Sequence, residues 1–528
     1  MYYNEGETDR RGYGMVQFIT AKQAASLLHD GDVVAMSGYG KFGTADAILQ
    51  AIQERYECRH EPKRMTLVKV ASAGDGQMRG GNRLAAPGLL EKVITSHIGF
   101  EPKLAETISK NQCLAYLLPA GTILRLYRSQ TLGEKGFLTT VGLNTTVDPR
   151  QEGGCGNERT EQQGNNLASV VSIAGKEYLY YATFPIQIGI IRGSIADEKG
   201  NVSLVHEQMI GEQLEIAMAV KQSGGVVMVQ VEEVVRQGTL EARQVAIPSH
   251  LVDYITVVKD SADEACVERK RTAEKVSVMP MTARKICARR AVMEIKSNQF
   301  VNLGIGMPES LASIMEEEGL TKQCILAADS GVIGGTQQSG IAMGSAIHPE
   351  SVMPMVDMMA LCNGGGLDVC VLGLAETDRD GNINVSRFNG RMVGPGGFID
   401  LTMQTKNLIF LGTFTASGLA IQCHDGKLSI VQEGVYNKFK TKVEQVTFSG
   451  KRARDRRQKV LCITERAVFA LADNGWRLDE IAPGIDVRKH IFPFIDFPIA
   501  VNPDLKEMDA RIFAEGKMGF VLGRHKES

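Results

Sequence analysis

Short apolar runs bounded by glycine recur along the chain, and each is followed by a stretch with helical periodicity. Runs of this length are typical of strands buried on both faces, and their alternation with helices is the pattern of a parallel sheet. The sequence therefore predicts an α/β fold with mostly parallel sheets. The runs lie at residues 33–36, 67–70, 226–231, 301–303, 369–372 and 408–411.

The two halves of the chain resemble one another. An apolar strand that runs into glycines and then into a helix begins at Val33 and again at Phe300. Later, the Asp-x-x-Gly-Asn segment at 197–201 recurs 181 residues further on, at 378–382. Either segment alone would indicate only a tight turn, since aspartate, glycine and asparagine are the residues that turns require. Their matching contexts favour a duplicated fold.

A charge-dense segment separates the two copies. Residues 259–281 are rich in charge and end at a proline before a new helical pattern begins, which is typical of a linker. We predict two similar open α/β domains, residues 1–275 and 276–528, packed around a shared active-site cleft. They are called the N-terminal and C-terminal halves below.

Composition excludes several function classes. With 59 basic and 61 acidic residues the net charge is −2, so a basic nucleic-acid footprint is absent. The chain has neither an apolar N-terminal signal nor a run of about 18 apolar residues, which predicts a cytoplasmic protein without a membrane partner. Ten scattered cysteines without a Cys-x-x-Cys pair indicate reduced residues and support no metal site.

One glycine loop suggests a dinucleotide enzyme. Gly38, Gly40 and Gly43 match the Gly-x-Gly-x-x-Gly fingerprint between a strand and a helix. The fingerprint also requires an acidic residue after the next strand, where this chain has Ala71 to Gly74. We therefore interpret Gly38 and Gly40 as packing glycines.

Glycine is concentrated in the C-terminal half. Gly304 to Pro308 lead into a helix whose N-terminal N–H groups suit an anionic or polar ligand. Further clusters at 331–335, 364–368 and 394–398 indicate backbone packed against an extended ligand, or amides directed at an oxyanion.

Taken together, these segments resemble the family I CoA-transferases of the single-chain type, in which α-like and β-like halves are fused, as in short-chain acyl-CoA:acetate CoA-transferases. The resemblance covers nearly the whole chain. Its markers are VDPRQEGG at 147–154, KEYLYY at 176–181, IRGSIADEKGN at 191–201, VNLGIGMPE at 301–309, DSGVIGG at 329–335, GGGLDVC at 364–370, GNINVSRFNG at 381–390, VGPGGFID at 393–400 and FSGKRARDR at 448–456.

The resemblance implies transfer of CoA between a short-chain acyl-CoA and a carboxylic acid such as acetate. The route is ping-pong, through an enzyme acyl anhydride and an enzyme CoA thioester, without a metal or any cofactor beyond CoA. It places the nucleophile at Asp329 and an oxyanion loop at Gly396 and Gly397, and it implies a dimer or tetramer. The implied CoA-binding residues are Gly304, Ile305, Gly306, Met307, Pro308, Asn382, Asn384 and Gly396.

The chain departs from the family pattern at three places. Asp329 stands where the family has glutamate, and the loss of a methylene withdraws the carboxylate by about 1.5 Å. Ala120 stands where relatives carry a glutamine able to donate a hydrogen bond. Residues 355–363 replace a Phe-Asp-Phe-Tyr segment. These departures leave three hypotheses open: transfer through Asp329, acyl-CoA hydrolysis with water in the space beside it, and acyl-CoA binding without catalysis.

Two histidines lie near the inferred loops. His97 and His348 could reach the site, but a lone histidine is more often structural, and neither is included among the site residues.

Overall fold

The chain folds around two large sheets, one drawn from each half. The computed structural model describes residues 16–164, 167–259 and 278–524. The predicted boundary between residues 275 and 276 lies outside the described residues, and the position of this boundary stays a prediction.

All eight strands of the N-terminal sheet run parallel. Valine, isoleucine and leucine fill the central strands and are buried on both faces, as a parallel sheet covered by helices requires. The predicted strand at 67–70 lies at Met65–Val68, and the residues after it form a loop that reaches the site. In spatial order the strands are Gln17–Phe18, Tyr254–Val257, Val226–Val231, Ile188–Arg192, Val33–Met36, Met65–Val68, Leu90–Thr95 and Leu114–Leu117.

The ten-stranded C-terminal sheet is parallel at its centre and mixed towards its edges. With the first sheet it confirms the predicted α/β class. In spatial order its strands are Ser351–Val352, Val332–Ile333, Ile325–Ala327, Phe300–Leu303, Val369–Gly373, Asn407–Leu411, Lys459–Ile463, Ala467–Ala472, Gly475–Ile481 and Ala500–Glu507.

Helices cover the sheets and connect their strands. Several begin at a side-chain cap, such as Thr282, whose hydroxyl accepts the Lys285 N–H, and one ends at Gly319 in the left-handed conformation. The helices are Ala21–Ser26, Asp46–Arg59, Pro102–Ser109, Ala120–Thr131, Glu158–Gln163, Gln213–Gln222, Ala283–Val292, Glu309–Glu318, Met355–Asn363, Phe398–Gln404, Gly450–Asp455 and Val487–His490. Within the described residues, none is long and apolar enough to cross a membrane.

Smaller sheets complete the fold. A four-stranded sheet comprises Ile195–Asp197, Val202–Ser203, Glu233–Val235 and Val245–Ile247. Two three-stranded sheets comprise Glu376–Asp378, Ile383–Asn384 and Phe439–Lys440, and Gly136–Thr139, Ala168–Ile173 and Lys176–Ala182. The two-stranded sheets pair Lys296–Ser297 with Gly523–Arg524, Thr336–Gln337 with Ala346–Ile347, Arg387–Phe388 with Arg391–Met392, Thr415–Ala416 with Tyr436–Asn437, and Ala420–His424 with Lys427–Gln432.

The internal duplication is visible in the turns. The Asn201 amide donates to Asp197 Oδ2 at 2.9 Å, and the Asn382 amide donates to Asp378 Oδ2 at the same 2.9 Å. Each aspartate also accepts the backbone N–H of its asparagine. The repeated segments therefore form the same turn twice.

One apolar core crosses from one half to the other. Met355, Met359, Ile399 and Met403 of the C-terminal half are buried against the helix Ala120–Thr131 and its surroundings in the N-terminal half. Because this core is continuous, it holds the loops of the two halves face to face.

Candidate active site

A cavity of about 350 Å³ lies between the halves. Its walls include residues that follow parallel strands: Ser72, His97 and Ala120 in the N-terminal half, and Gly304 and Asp329 in the C-terminal half. The crevice outside the carboxyl ends of parallel strands is where open α/β sheets bind ligands. The duplicated fold thus brings two such crevices together.

Asp329 stands at the turn between the strands Ile325–Ala327 and Val332–Ile333. The turn closes with the Gly331 N–H donating to the Ala328 carbonyl at 3.1 Å. Gly331 has φ +96°, and a Cβ there would lie 2.0 Å from the Met353 carbonyl oxygen, so only glycine fits. This rigid turn directs the Asp329 carboxylate into the cavity.

A hydroxyl group from the other half meets this carboxylate. The Tyr39 phenol donates to Asp329 Oδ1 at 2.9 Å. Burial raises the pKa of Asp329 above its usual value, while the Tyr39 hydroxyl and nearby backbone N–H groups oppose that rise. Burial and the adjacent Asp329 raise the pKa of Tyr39 well above its ordinary value, so Tyr39 stays a protonated donor.

Tyr39 lies inside the glycine loop that suggested a dinucleotide site. A Cβ on Gly38 would lie 2.8 Å from the Ala73 Cβ, so this glycine allows close packing, as predicted. A Cβ on Gly40 would lie 3.0 Å from the Ile341 carbonyl oxygen in the C-terminal half. The two glycines therefore let the backbone approach closely enough to place Tyr39 in the site.

The loop at 393–397 is held against the N-terminal half by backbone hydrogen bonds. Gly396 N–H donates to the Ser96 carbonyl at 2.9 Å, and the Gly396 carbonyl accepts from Ala120 N–H at 3.0 Å. Ile98 N–H donates to the Val393 carbonyl at 2.9 Å. Because its N–H is already engaged, Gly396 has no amide hydrogen to offer a ligand in this conformation.

Gly397 lies directly over the carboxylate. A Cβ on Gly397 would lie 2.6 Å from Asp329 Oδ2 and 2.9 Å from Met359 Cε. Within the described part of the chain, no acceptor takes the Gly397 N–H. This amide is therefore available to a ligand beside Asp329.

Behind this loop is a second buried carboxyl group. Asp400 accepts from Gly121 N–H at 3.0 Å and from the Asn363 amide at 2.9 Å. Burial raises the pKa of Asp400 to about 6, and the neighbouring Asp329 adds to the rise. The hydrogen bond from Gly121 ties the start of the helix Phe398–Gln404 to the N-terminal half, and the one from Asn363 ties it to the helix Met355–Asn363.

His97 also lines the cavity. Its Nδ1 accepts the Gly99 N–H at 3.2 Å, which places the proton of the neutral ring on Nε2. Burial and the nearby Lys69 lower the pKa of His97 to about 4, so the ring is neutral near pH 7. In the described residues Nε2 has no hydrogen-bond partner.

The predicted ligand residues separate into two groups. Gly304 and Ile305 line the cavity beside Asp329, together with Gly396 and Gly397. The helix that follows begins at Glu309, with Pro308 just before it. Gly306, Met307 and Pro308 do not line the cavity.

The two predicted asparagines serve the protein itself. Asn382 belongs to the repeated turn, and its side-chain oxygen accepts the Gly450 N–H at 3.0 Å. Asn384 is buried, donates to Glu376 at 2.9 Å and accepts the Ser386 N–H at 3.1 Å. The fold does not bring either side chain to the cavity.

Sequence similarity to known proteins identifies the family. The coenzyme A transferase family matches residues 18–258. The caffeate CoA-transferase of Acetobacterium woodii is 38% identical over 95% of this chain and 98% of its own length. The acetate CoA-transferase YdiF of Escherichia coli K12 is 37% identical over 96% of this chain and 97% of its own.

The chain belongs to the CoA-transferase family.

Solved structures agree with this assignment. The acyl-CoA transferase YdiF of Escherichia coli O157:H7 superposes as the apoenzyme with a TM-score of 0.90 and 35% identity, covering 97% of this chain and 98% of that one. Its thioester complex with CoA superposes equally well, at 34% identity. The chain is accordingly a CoA-transferase, and binding without catalysis is set aside.

Sequence reasoning missed two residues of this CoA-transferase site. Tyr39 lies between Gly38 and Gly40, which the sequence indicates only as packing glycines, and His97 is a lone histidine of the kind that is more often structural. Both follow strands of the N-terminal sheet, Val33–Met36 and Leu90–Thr95, at their carboxyl ends. That position in the sequence is the signal that could have found them.

Proposed function

We propose that this CoA-transferase moves CoA between a short-chain acyl-CoA and a carboxylic acid such as acetate by a ping-pong route, with Asp329 as the nucleophile. The observation that carries the proposal is the Asp329 carboxylate, held by Tyr39 at the wall of a cavity between the halves. Aspartate and glutamate differ little in intrinsic basicity, so the shorter side chain can perform the same attack.

In the first step, an Asp329 oxygen attacks the thioester carbonyl carbon. The carbon–sulfur bond breaks, CoA leaves as a thiolate, and a mixed anhydride joins the acyl group to Asp329. Negative charge develops on the carbonyl oxygen in the transition state, where preorganised donors contribute most. Two donors without a partner among the described residues face this space: the Gly397 N–H beside Asp329, and the His97 Nε2–H in the wall of the same cavity.

In the second step, the CoA thiolate attacks the Asp329 carbonyl of the anhydride. The acyl group leaves as a free carboxylate, and Asp329 becomes a CoA thioester. An incoming carboxylate then attacks this thioester, and reversal of the first two steps releases the new acyl-CoA. The thioester complex of YdiF with CoA supports such a covalent route.

The CoA arm is proposed to run along Gly304 and Ile305. A second cavity of about 50 Å³ borders these residues and Asp329, and the polar side chains in its walls include Glu309, Gln337 and Gln338. Amide and carboxyl groups of this kind can hydrogen-bond the two amides of the pantetheine arm. The proposal includes a cytoplasmic location and a dimeric or tetrameric assembly. It also includes catalysis without a metal or further cofactor, because the thioester itself carries the activation.

Intact mass spectrometry of the protein mixed with an acyl-CoA tests the proposal. We expect a CoA adduct that maps to a peptide containing Asp329 and that borohydride reduces, with no adduct in an Asp329→Asn variant. Release of free CoA without an adduct and without an acceptor acid would indicate hydrolysis instead. Full exchange activity in the Asp329→Asn variant would exclude Asp329 as the nucleophile.

A further inference from the structure

The large cavity beside Asp329 has strongly apolar walls. Its volume is about 350 Å³, and most of its side chains are aliphatic, aromatic or thioether groups. The larger apolar side chains among them include Phe100, Met343, Met355, Met359, Leu372 and Phe398. A surface of this composition favours an apolar ligand over water.

The volume is far larger than an acetyl group needs. A dry apolar cavity of about 150 Å³ already accommodates benzene. A small acyl group would leave most of the larger space to water, so much of the apolar wall would stay hydrated. A bulky acyl group would displace that water.

The charge of the walls restricts the ligand further. Among the cavity-lining residues of the described chain there is no lysine or arginine, and Asp329 is the only acidic residue. A second carboxylate on the ligand would be buried without a cation and beside another negative charge, which is strongly unfavourable. The walls therefore suit a monocarboxylic acid.

The CoA arm of the thioester substrate has a separate approach to Asp329. The smaller cavity along Gly304 and Ile305 has Glu309, Gln337 and Gln338 in its walls, and it meets the large cavity at Asp329. If the CoA arm passes Gly304 and Ile305 and presents its thioester to Asp329, the acyl tail extends past the carboxylate into the apolar cavity. This step rests on the proposed function.

Met359 is placed to contact the acyl tail. It lies on the helix Met355–Asn363, and its Cε is 2.9 Å from the position of a Cβ on Gly397, directly above the carboxylate. Methionine is flexible and adapts to ligands of different shape. Its side chain therefore forms an adjustable wall next to the reacting carbon.

The geometry points to a bulky apolar monocarboxylic acid as one of the two acids that exchange CoA. The acyl group is the size of a ring or of a chain of about six carbons or more, and Met359 contributes to its selection. In a ping-pong enzyme the same cavity also admits the second, smaller acid in its turn.

A series of acceptor acids tests this inference with the wild-type protein. CoA exchange from acetyl-CoA is measured with propionate, hexanoate, 3-phenylpropanoate and succinate. We expect kcat/KM for hexanoate and 3-phenylpropanoate to exceed the value for propionate at least tenfold, and succinate to be the poorest. Preference for propionate or succinate would overturn the inference but leave the transferase in place. Exchange with none of the acids would overturn the proposed function itself.

A cavity-filling variant gives a second readout. Met359→Phe should lower the ratio of kcat/KM for 3-phenylpropanoate to that for propionate about tenfold, because the rigid ring takes space from the acyl tail. Met359→Leu conserves volume and is the matched control, with a ratio near that of the wild type. An unchanged ratio in Met359→Phe would remove Met359 from acyl selection.

Discussion

The Tyr39 hydroxyl donates a hydrogen bond to Asp329 Oδ1 at 2.9 Å, across the junction of the two halves. The tyrosine reaches the carboxylate from a glycine loop of the first sheet, and the aspartate stands on a rigid turn of the second. Neither half could build this contact alone. The nucleophile is therefore positioned by the packing of the halves as well as by its own turn.

Removing this hydroxyl should slow CoA exchange. In Tyr39→Phe the ring remains but the carboxylate loses its restraint, and misplacement of a reacting group by about 1 Å can cost on the order of a hundredfold in rate. We expect kcat to fall roughly tenfold to a hundredfold.

The pH profile of the same variant separates positioning from folding. Asp329 must be ionised to attack, so activity rises as pH rises through its pKa. The Tyr39 hydrogen bond favours the ionised form and lowers that pKa. Its loss should move the acidic limb of the kcat profile to higher pH. A lower rate with an unmoved limb would contradict this role.

Lengthening the nucleophile should also impair catalysis. Asp329→Glu adds about 1.5 Å, which carries the carboxylate past the Tyr39 hydroxyl or towards Gly397. We expect a roughly tenfold or greater loss of exchange, although glutamate is the residue of the family pattern. Partial recovery in Asp329→Glu combined with Tyr39→Phe would show that Tyr39 is matched to the shorter side chain. Higher activity in the single variant would refute that match.

Much of the fold follows from local sequence patterns. The runs at 33–36 and 226–231 form strands within the predicted limits, and the duplicated Asp-x-x-Gly-Asn segments form identical turns. Strand burial and turn chemistry depend on neighbours in the sequence, so a single sequence records them.

The composition of the site depends on contacts that the sequence does not record. Tyr39 and Asp329 are 290 residues apart, and nothing local to either indicates their hydrogen bond. Asn384 is instead a predicted site residue that the fold keeps away from the cavity, because its amide donates to Glu376. Which polar groups remain available to a ligand is decided only by tertiary structure.

Gly397 should tolerate no side chain. Its φ is −84°, which any residue adopts, so the backbone itself does not require glycine. A Cβ would nevertheless lie 2.6 Å from Asp329 Oδ2. Gly397→Ala should therefore displace the carboxylate and lower kcat by about a hundredfold, with little change in thermal stability. Gly523→Ala, where a Cβ meets nothing within 4 Å, is the control. Equal rates in the two variants would argue against this contact.

His97 should contribute as a neutral donor. Loss of one preorganised oxyanion donor costs roughly a hundredfold to a thousandfold in kcat, and we expect a loss of about that size in His97→Phe. Because the pKa of His97 is lowered to about 4, its titration should leave no limb in the wild-type profile between pH 6 and 8. Partial rescue by His97→Gln, which keeps an N–H donor, would support the role. Wild-type kcat in His97→Phe would exclude it.

The loops that carry His97 and Ser72 depend on a buried ion pair. Lys69 Nζ lies 2.6 Å from Glu101 and donates to the His97 carbonyl at 3.2 Å, while the Ser72 hydroxyl donates to Glu101 at 3.0 Å. Both charged side chains are fully buried. Lys69→Met leaves Glu101 without its cation, and breaking such a pair costs about 3–5 kcal/mol of folding free energy.

The stability that Lys69→Met loses should depend on pH. Burial raises the pKa of Glu101 and the Lys69 charge opposes that rise, so the pKa of Glu101 increases further when Lys69 is replaced. A raised carboxyl pKa means that stability falls as pH rises through it. Thermal unfolding of Lys69→Met should therefore show a larger deficit at pH 8 than at pH 5. Adding Glu101→Gln should restore part of the stability at pH 8.

The exposed pair of Lys110 and Glu106 is the control, and Lys110→Met should change the unfolding midpoint little at either pH. A deficit in Lys69→Met that is equal at both pH values would mean that Glu101 is not the group left unpaired.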